Sequence, residues 1–151
     1  MAMRMSLEFE DNMSRRLHQL ATRSPASFMK VLEQIAYETK TYVIRNQRRA
    51  FMTDDRTLEK STKYKKRGKT VRLWMKPRYQ VLEFGAYIKP VDKKVLRFIG
   101  KDGEVVFTKH ARIPPRPYFK PGIKDAIRAD VMNEVAQRVY KEEMKRLRAE
   151  R

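Results

Sequence analysis

The longest regular pattern of hydrophobic positions in this chain lies between residues 28 and 43. Apolar or small side chains recur there at helical intervals: Phe28, Val31, Leu32, Ile35, Ala36, Thr39, Tyr42 and Val43. This spacing places them on one face of an α-helix, with charged residues on the opposite face. Ser24-Pro25 is a typical helix start, so the pattern predicts a helix from Pro25 to about residues 45–49.

Two further helices are predicted from the same kind of spacing. The first can be capped by Asp11 or Asn12 and carries its apolar positions at Met13, Leu17, Leu20 and Ala21. The second is long and repeats every four residues through Ile123, Ile127, Val131, Val135 and Val139. We expect this last helix to fray into a charged tail over residues 141–151.

Alternation of apolar and polar residues predicts strands elsewhere in the chain. It occurs at residues 3–9 and 70–75. Two further strands are predicted at residues 94–99 and 104–108, which are short and rich in Val, Ile, Leu and Phe and flank a Gly100–Gly103 turn of hairpin type. Pro77 begins a short helix that Gly85 ends. This order predicts an α+β fold in a single domain, residues 1–151. Its small, largely antiparallel β-sheet would be packed by two long α-helices and short helices.

Residues 111–123 hold four of the chain's seven prolines and separate the strand-rich middle from the last helix. Each proline fixes its own φ and biases the preceding residue toward extended geometry. We therefore expect a stiff, extended strap, with Pro121 in the first turn of the following helix. Arg116, Tyr118 and Phe119 are its predicted contacts, either on a neighbouring subunit or on the chain's own core. The alternative is a proline-rich connector that only ends the sheet.

Charge is concentrated in the middle of the chain. The net charge is +18, and residues 60–120 alone carry eighteen Lys/Arg against four Asp/Glu, a balance of +14. Residues 50–69 lack sustained periodicity and are dense in like charge, so we expect an extended, mobile basic loop. The cations expected to face DNA or an acidic neighbouring ring are Lys63, Lys65, Lys66, Arg67, Lys69 and Arg72. The alternative is a solvated surface that serves only solubility.

No catalytic motif accompanies this charge. The chain has no cysteine, and its two histidines, His18 and His110, lack carboxylates at metal-ligand spacing. Its sequence contains neither a glycine-rich phosphate loop nor a nucleophile elbow. These observations predict a protein that is not an enzyme and uses no cofactor. No apolar run approaches the length of a membrane span, so we expect no membrane partner.

Several short motifs follow one another in the second half of the chain. They are Glu83-Phe84-Gly85, Tyr87-Ile88-Lys89-Pro90, Lys93-Lys94-Val95-Leu96-Arg97-Phe98, Gly103-Glu104-Val105-Val106-Phe107-Thr108-Lys109 and the strap from Ile113 to Pro121. Their order resembles the neck and tail-completion proteins of tailed bacteriophages, which include minor tail, head–tail joining and virion morphogenesis proteins. In that family an acidic–aromatic–glycine turn precedes a hairpin, and a proline- and arginine-containing segment then leads through aromatic residues into a helix. The resemblance covers roughly residues 7–136.

The resemblance implies a structural virion protein in the neck or tail, assembled in the cytoplasm of the bacterial host. Such proteins form rings, here expected to be hexamers or dodecamers, with DNA passing through the lumen. The implied neighbours are portal or connector, head-closure and tail-tube or terminator proteins, with non-specific contact to double-stranded DNA. Glu83, Phe84 and Gly85 would form the family-like turn.

A second interpretation stays open from the sequence. A basic protein of this kind can also be a monomer that binds nucleic acid through phosphates, without sequence preference. Light scattering at physiological salt separates the two interpretations. A discrete ring, or a monomer that forms one only with portal or tail partners, favours the first. A stable monomer that binds duplex DNA with a steep salt dependence and ignores tail components favours the second.

Overall fold

A computed structural model describes residues 11–51, 56–100 and 102–150 of the chain. Helix predominates, and small antiparallel sheets accompany two long helices. The α+β fold class is therefore confirmed. The strand predicted at residues 3–9 lies outside the described residues.

Six α-helices and six strands make up the described part of the chain. The helices are α1 (Asp11–Arg23), α2 (Pro25–Phe51), α3 (Thr57–Ser61), α4 (Gln80–Phe84), α5 (Phe119–Arg128) and α6 (Val131–Ala149). The strands are β1 (Thr62–Arg67), β2 (Thr70–Met75), β3 (Ala86–Ile88), β4 (Leu96–Ile99), β5 (Val105–Thr108) and β6 (Ala111–Ile113). A single 3₁₀ turn, Pro77–Tyr79, leads into α4.

Helix α2 is shared by two clusters of buried side chains. Its first half packs with α1 and α6 around Met13, Leu17, Leu20, Val31, Ile35, Val135 and Val139. Its second half places Val43 against Met75, Tyr118, Phe119 and Ile123. The helical stripe predicted from the sequence is the face that α2 buries, and its second half positions the strands and the strap.

The last helix, predicted to be continuous, is two helices. Between α5 and α6, Asp130 has a φ of 52°, in the left-handed region. Periodicity does not reveal the break, because Ile127 and Val131 keep their four-residue spacing across it. Helix α6 continues to Ala149, through most of the segment that was predicted to fray.

Glu143 fastens this end of α6 to the start of α2. Its Oε2 accepts a hydrogen bond of 2.7 Å from the Ser27 hydroxyl, and its Oε1 accepts one of 3.0 Å from Lys30 Nζ. Arg146 approaches Glu143 Oε2 at 2.9 Å. Burial acts to raise the pKa of Glu143, but these hydrogen bonds and cations outweigh it and lower the pKa below its ordinary 4.5.

We expect Glu143→Gln to flatten the acid dependence of stability. Because the folded pKa is depressed, the carboxylate contributes stability above its ordinary pKa, and that stability is lost as the pH falls through the folded pKa. The urea midpoint of the variant should therefore change less than that of the wild type between about pH 5 and pH 3. The exposed neighbour offers a control, Glu142→Gln, which should keep the wild-type dependence. Parallel curves for all three proteins would contradict the assignment.

The strands form three separate two-stranded antiparallel ladders instead of the one sheet expected from the sequence. Strand β1 pairs with β2, β3 pairs with β6, and β4 pairs with β5. The β1–β2 and β4–β5 ladders are hairpins, whereas β3–β6 joins segments distant in sequence. Each ladder is thus a small unit with two faces of its own, a geometry in which most strand residues stay accessible.

The prediction that residues 50–69 form a loop is wrong over most of that range. Helix α2 extends to Phe51, and α3 and β1 occupy residues 57–67. The strand escaped detection because cations interrupt its alternation. Thr62 is buried and Tyr64 half-buried, but Lys66, the next residue on that face, is exposed.

The strap begins in extended conformation, as predicted. It begins as β6, continues without helix or strand over residues 114–118, and enters α5 with Pro121 in the first turn. The Arg116 N–H donates a hydrogen bond of 2.7 Å to the Leu82 carbonyl. Gly85, at a φ of 74°, passes so close that a Cβ there would lie 2.9 Å from the Ile113 carbonyl oxygen. The strap is therefore bound to α4 and β3 of its own chain.

Candidate functional site: the basic hairpin

The β1–β2 hairpin carries the predicted cations on a fixed root. The buried Gln47 side chain donates a hydrogen bond of 2.8 Å to the Thr62 hydroxyl, and the Lys76 N–H donates one of 3.2 Å to the Ser61 carbonyl. Met75, opposite Thr62 in the ladder, is buried in the cluster around Val43. The hairpin is thus held against α2 at its base, and its far end extends to a Gly68-Lys69 turn.

Alternation along the two strands separates two faces. One side, toward α2, carries Thr62, Tyr64, Lys66, Val71, Leu73 and Met75. The other, here called the outer face, carries Lys63, Lys65, Arg67, Thr70, Arg72 and Trp74, all of them exposed. The ladder pairs Lys63 with Trp74, Lys65 with Arg72 and Arg67 with Thr70 across the outer face.

The hairpin contains cations and no acidic residue. Residues 62–75 include six Lys/Arg and no Asp or Glu. Lys65 and Arg72 lie directly opposite each other, an arrangement of like charges that destabilises an isolated ladder. Within the described chain, none of the six cations forms an ion pair. An anion supplied from outside would relieve this repulsion.

All six predicted basic residues lie on this one hairpin, but not on one face. Lys63, Lys65, Arg67 and Arg72 share the outer face. Lys66 belongs to the opposite face, and Lys69 lies in the turn. The six cations therefore share one hairpin, and the ladder divides them between its two faces and its turn.

Trp74 is the residue of this surface that the sequence analysis left out. Trp74 is 37% exposed and lies on the outer face opposite Lys63. The alternation of residues 70–75 already placed Trp74 on the side away from Leu73. Only the pairing with β1, which was taken for a loop, shows that cations surround it.

The β4–β5 hairpin has the opposite chemistry. Phe98 and Val106 pair on one face, and Ile99 with Val105 and Phe107 lie on the other. All five are exposed, Ile99 by 70% and Phe107 by 62%. Among the described elements, β4 and β5 pack closely only on each other. A two-stranded hairpin with apolar side chains on both faces is marginally stable alone in water.

Two of the predicted interface residues are unavailable to a neighbouring subunit. Tyr118 and Phe119 are 0% and 3% exposed, in the cluster with Val43 and Met75 of the same chain. Of the two docking sites considered for the strap, the chain's own core is therefore the correct one for this pair. Arg116 is exposed beside them.

The Glu83-Phe84-Gly85 turn has a defined role within the chain. Glu83 is buried and its carboxylate accepts hydrogen bonds from three backbone N–H groups at the start of α5. Gly85 supplies the positive φ that lets β3 reach the strap, while Phe84 points outward and is 59% exposed. The turn therefore joins α4, the strap and α5.

Comparison with protein-family models, with curated proteins and with solved structures found no match. The resemblance to phage neck proteins accordingly remains an interpretation of the motifs themselves. What supports or opposes it must come from the surfaces of this chain.

Other kinds of site lack a basis in the described residues. No group of three or more His, Cys, Asp or Glu side chains among them is arranged to hold a metal ion. His110 stacks on Tyr87, with ring centroids 5.4 Å apart, and is exposed. Of the helices described, none has the length and hydropathy required to cross a membrane. The two hairpins are the strongest candidate interaction surfaces.

Proposed function

We propose that this protein is a ring-forming structural subunit of the neck or tail of a tailed bacteriophage, joining the head to the tail. The observation that carries the proposal is the apolar β4–β5 hairpin. Its exposed side chains on both faces favour contact with another protein surface, and they lie within the motif order that resembles the neck and tail-completion family.

A ring supplies a partner for such a hairpin. When one surface of a subunit binds a different surface of the next copy, rotation about a closed axis produces a ring in which every hairpin is covered. The apolar side chains must supply most of this affinity, because copies that each carry a net charge of +18 repel one another. Assembly should therefore strengthen when salt screens the repulsion.

The test is the oligomeric state of the purified protein, measured by light scattering over a range of salt concentrations. We expect a discrete ring, or a monomer that forms one with portal or tail components. The double variant Ile99→Thr/Phe107→Thr should weaken assembly at least about tenfold, because threonine keeps the strand propensity and removes the apolar contact. The matched control is Val81→Thr/Phe84→Thr, which changes exposed residues outside the hairpin.

Two outcomes would overturn the proposal that the protein forms a ring. One is a wild-type protein that stays monomeric at every salt concentration and ignores portal and tail components. The other is an equal effect of the two double variants, since the hairpin would then have no special part in assembly.

The second candidate is a monomeric protein that binds nucleic acid without sequence preference. The outer face of the β1–β2 hairpin favours it, because its cations are exposed and lack acidic partners within the described chain. The two functions differ in their response to salt. Ring assembly should strengthen as salt is added, whereas binding to phosphates should weaken steeply.

A further inference from the structure

We propose that the outer face of the β1–β2 hairpin binds the sugar–phosphate backbone of a nucleic acid, with Trp74 packed against the bound strand. The inference rests on the proposed function for its biological setting. It deepens that function by choosing nucleic acid over an acidic neighbouring ring as the partner of this surface. Three features of the hairpin support the choice.

The first feature is regular spacing. Lys63, Lys65 and Arg67 follow one another along the same face of β1. Alternate residues of a strand lie about 7 Å apart. Neighbouring phosphates along a nucleic-acid strand form a similarly regular row, so successive cations can each meet one. A folded protein surface presents carboxylates at this repeat only where acidic residues alternate along a strand.

The second feature is the paired charge at the centre of the face. Lys65 and Arg72 lie opposite each other and are both exposed. A phosphate placed between them would contact a lysine and an arginine together and would remove the repulsion between the two strands. Because the root of the hairpin is fixed by Gln47 and Met75, the base of the two strands that carry the cations is positioned before binding.

The third feature is the position of Trp74. The indole lies between cations, with Lys63 across the ladder and Arg72 two residues earlier on the same strand. An exposed aromatic ring among cations is a combination that nucleic-acid surfaces use, since the ring stacks on bases or packs on sugars while the cations contact phosphates. Tryptophan also occurs at protein–protein interfaces, but there it anchors in well-packed, desolvated pockets, whereas Trp74 lies among exposed cations.

Trp74 also reports on the site directly, because it is the chain's only tryptophan. We would titrate the full-length protein with a mixed-sequence DNA duplex, with a single strand of the same length, and with polyglutamate of matched charge. Both nucleic acids should change the Trp74 fluorescence and bind at least tenfold more tightly than polyglutamate. A larger quench by the single strand would indicate base stacking, and equal quenching would indicate contact with sugar and phosphate alone.

The decisive comparison uses two variants of equal net charge. Lys65→Gln/Arg72→Gln removes the central pair, and Lys141→Gln/Lys145→Gln removes two exposed cations of α6. The first should weaken duplex binding at least tenfold and reduce the slope of log K against log salt by about two. The second should change affinity less than twofold. Urea midpoints close to that of the wild type would show that both variants fold.

The inference is overturned if the two variants lose affinity equally, since binding would then reflect net charge alone. It is also overturned if polyglutamate binds as tightly as DNA, because the site would then suit an acidic protein. Light scattering on the same samples distinguishes a failure of this binding site from a failure of the proposed ring. A ring that ignores DNA refutes only the site, and a protein that binds DNA but stays monomeric even with portal and tail components refutes only the ring.

Discussion

Glu83→Ala should be among the most destabilising single substitutions in this protein. The side chain is 4% exposed, and its carboxylate accepts hydrogen bonds of 2.7, 2.9 and 2.9 Å from the N–H groups of Tyr118, Phe119 and Lys120. These donors lie at the start of α5, where the first backbone N–H groups of a helix have no carbonyl partner within the helix. Alanine would leave three donors at a largely buried helix end, so we expect a loss of about 3–5 kcal/mol in the free energy of unfolding.

Urea unfolding measures this effect, and two further variants define its cause. Glu83→Gln keeps an acceptor oxygen and the side-chain volume, so it should lose less stability than alanine. Glu104→Ala removes an exposed carboxylate from the β4–β5 turn and should stay close to the wild type. The amides of Tyr118 and Phe119 should also exchange faster in Glu83→Gln than in the wild type. Equal midpoints for the two alanine variants would show that the carboxylate does not hold α5.

The helices were predictable because their information is local. The apolar stripe from Phe28 to Val43 and the Ser24-Pro25 boundary can each be recognised within a few helical turns of sequence. The bounds of α1 and α2 agree closely with them. The Asp130 break was not legible, because a single left-handed residue interrupts the backbone without disturbing the apolar repeat. The break depends on the left-handed backbone conformation of one residue, and the presence of an aspartate there gives little indication of that conformation.

The strand β1 was missed for a physical reason. Four of its six residues are Lys or Arg, and a charged strand is stabilised by its partner and by its root more than by its own propensity. Thr62 and Tyr64 supply the inward contacts, but two side chains are too few for an alternation test. Recognising β1 would have required pairing it with the well-marked strand of residues 70–75. The outer face, and Trp74 within it, follow only from that pairing.

Long-range polar contacts could not be predicted from the sequence. The motif Glu83-Phe84-Gly85 was noticed through the resemblance, but nothing local indicates that its carboxylate reaches Tyr118, 35 residues away. The same holds for Gln47, which anchors the hairpin through Thr62. Both are single polar side chains buried at junctions between elements, where geometry decides which donors they meet.

The two hairpins divide the proposed tasks between them. The β1–β2 hairpin presents cations and one indole from a fixed root, and the β4–β5 hairpin presents apolar side chains on both faces. Opposite chemistries give opposite responses to salt, so a single salt series separates the two contacts. The strap belongs to neither surface. It holds α5 in place and thereby supports the cluster that anchors the basic hairpin.

Gly122→Ala tests that support, and the sign of its effect is informative. In the interior of an exposed helix, replacing glycine by alanine stabilises by about 1 kcal/mol. At Gly122 a Cβ would lie 2.6 Å from Val43 Cα, 3.0 Å from Val43 N and 3.1 Å from Val43 Cγ2. Carbon atoms pack at about 3.5–4.0 Å, so α5 would have to move away from α2 by about 1 Å. We therefore expect a net loss of about 3 kcal/mol in the free energy of unfolding.

Val43→Ala in the same background should not restore stability, because the nearest atoms of Val43 are backbone and remain after truncation. The control is Gly100→Ala, where the nearest atom is the Glu104 carbonyl oxygen at an ordinary 3.6 Å, and it should be close to neutral. Urea midpoints rank the four proteins. A Gly122→Ala variant as stable as the wild type would mean that α5 and α2 cross less closely than described.

The close crossing matters because α2 carries both the root of the basic hairpin and the packing of Tyr118 and Phe119. Displacing α5 should consequently weaken nucleic-acid binding even though Gly122 lies on neither hairpin.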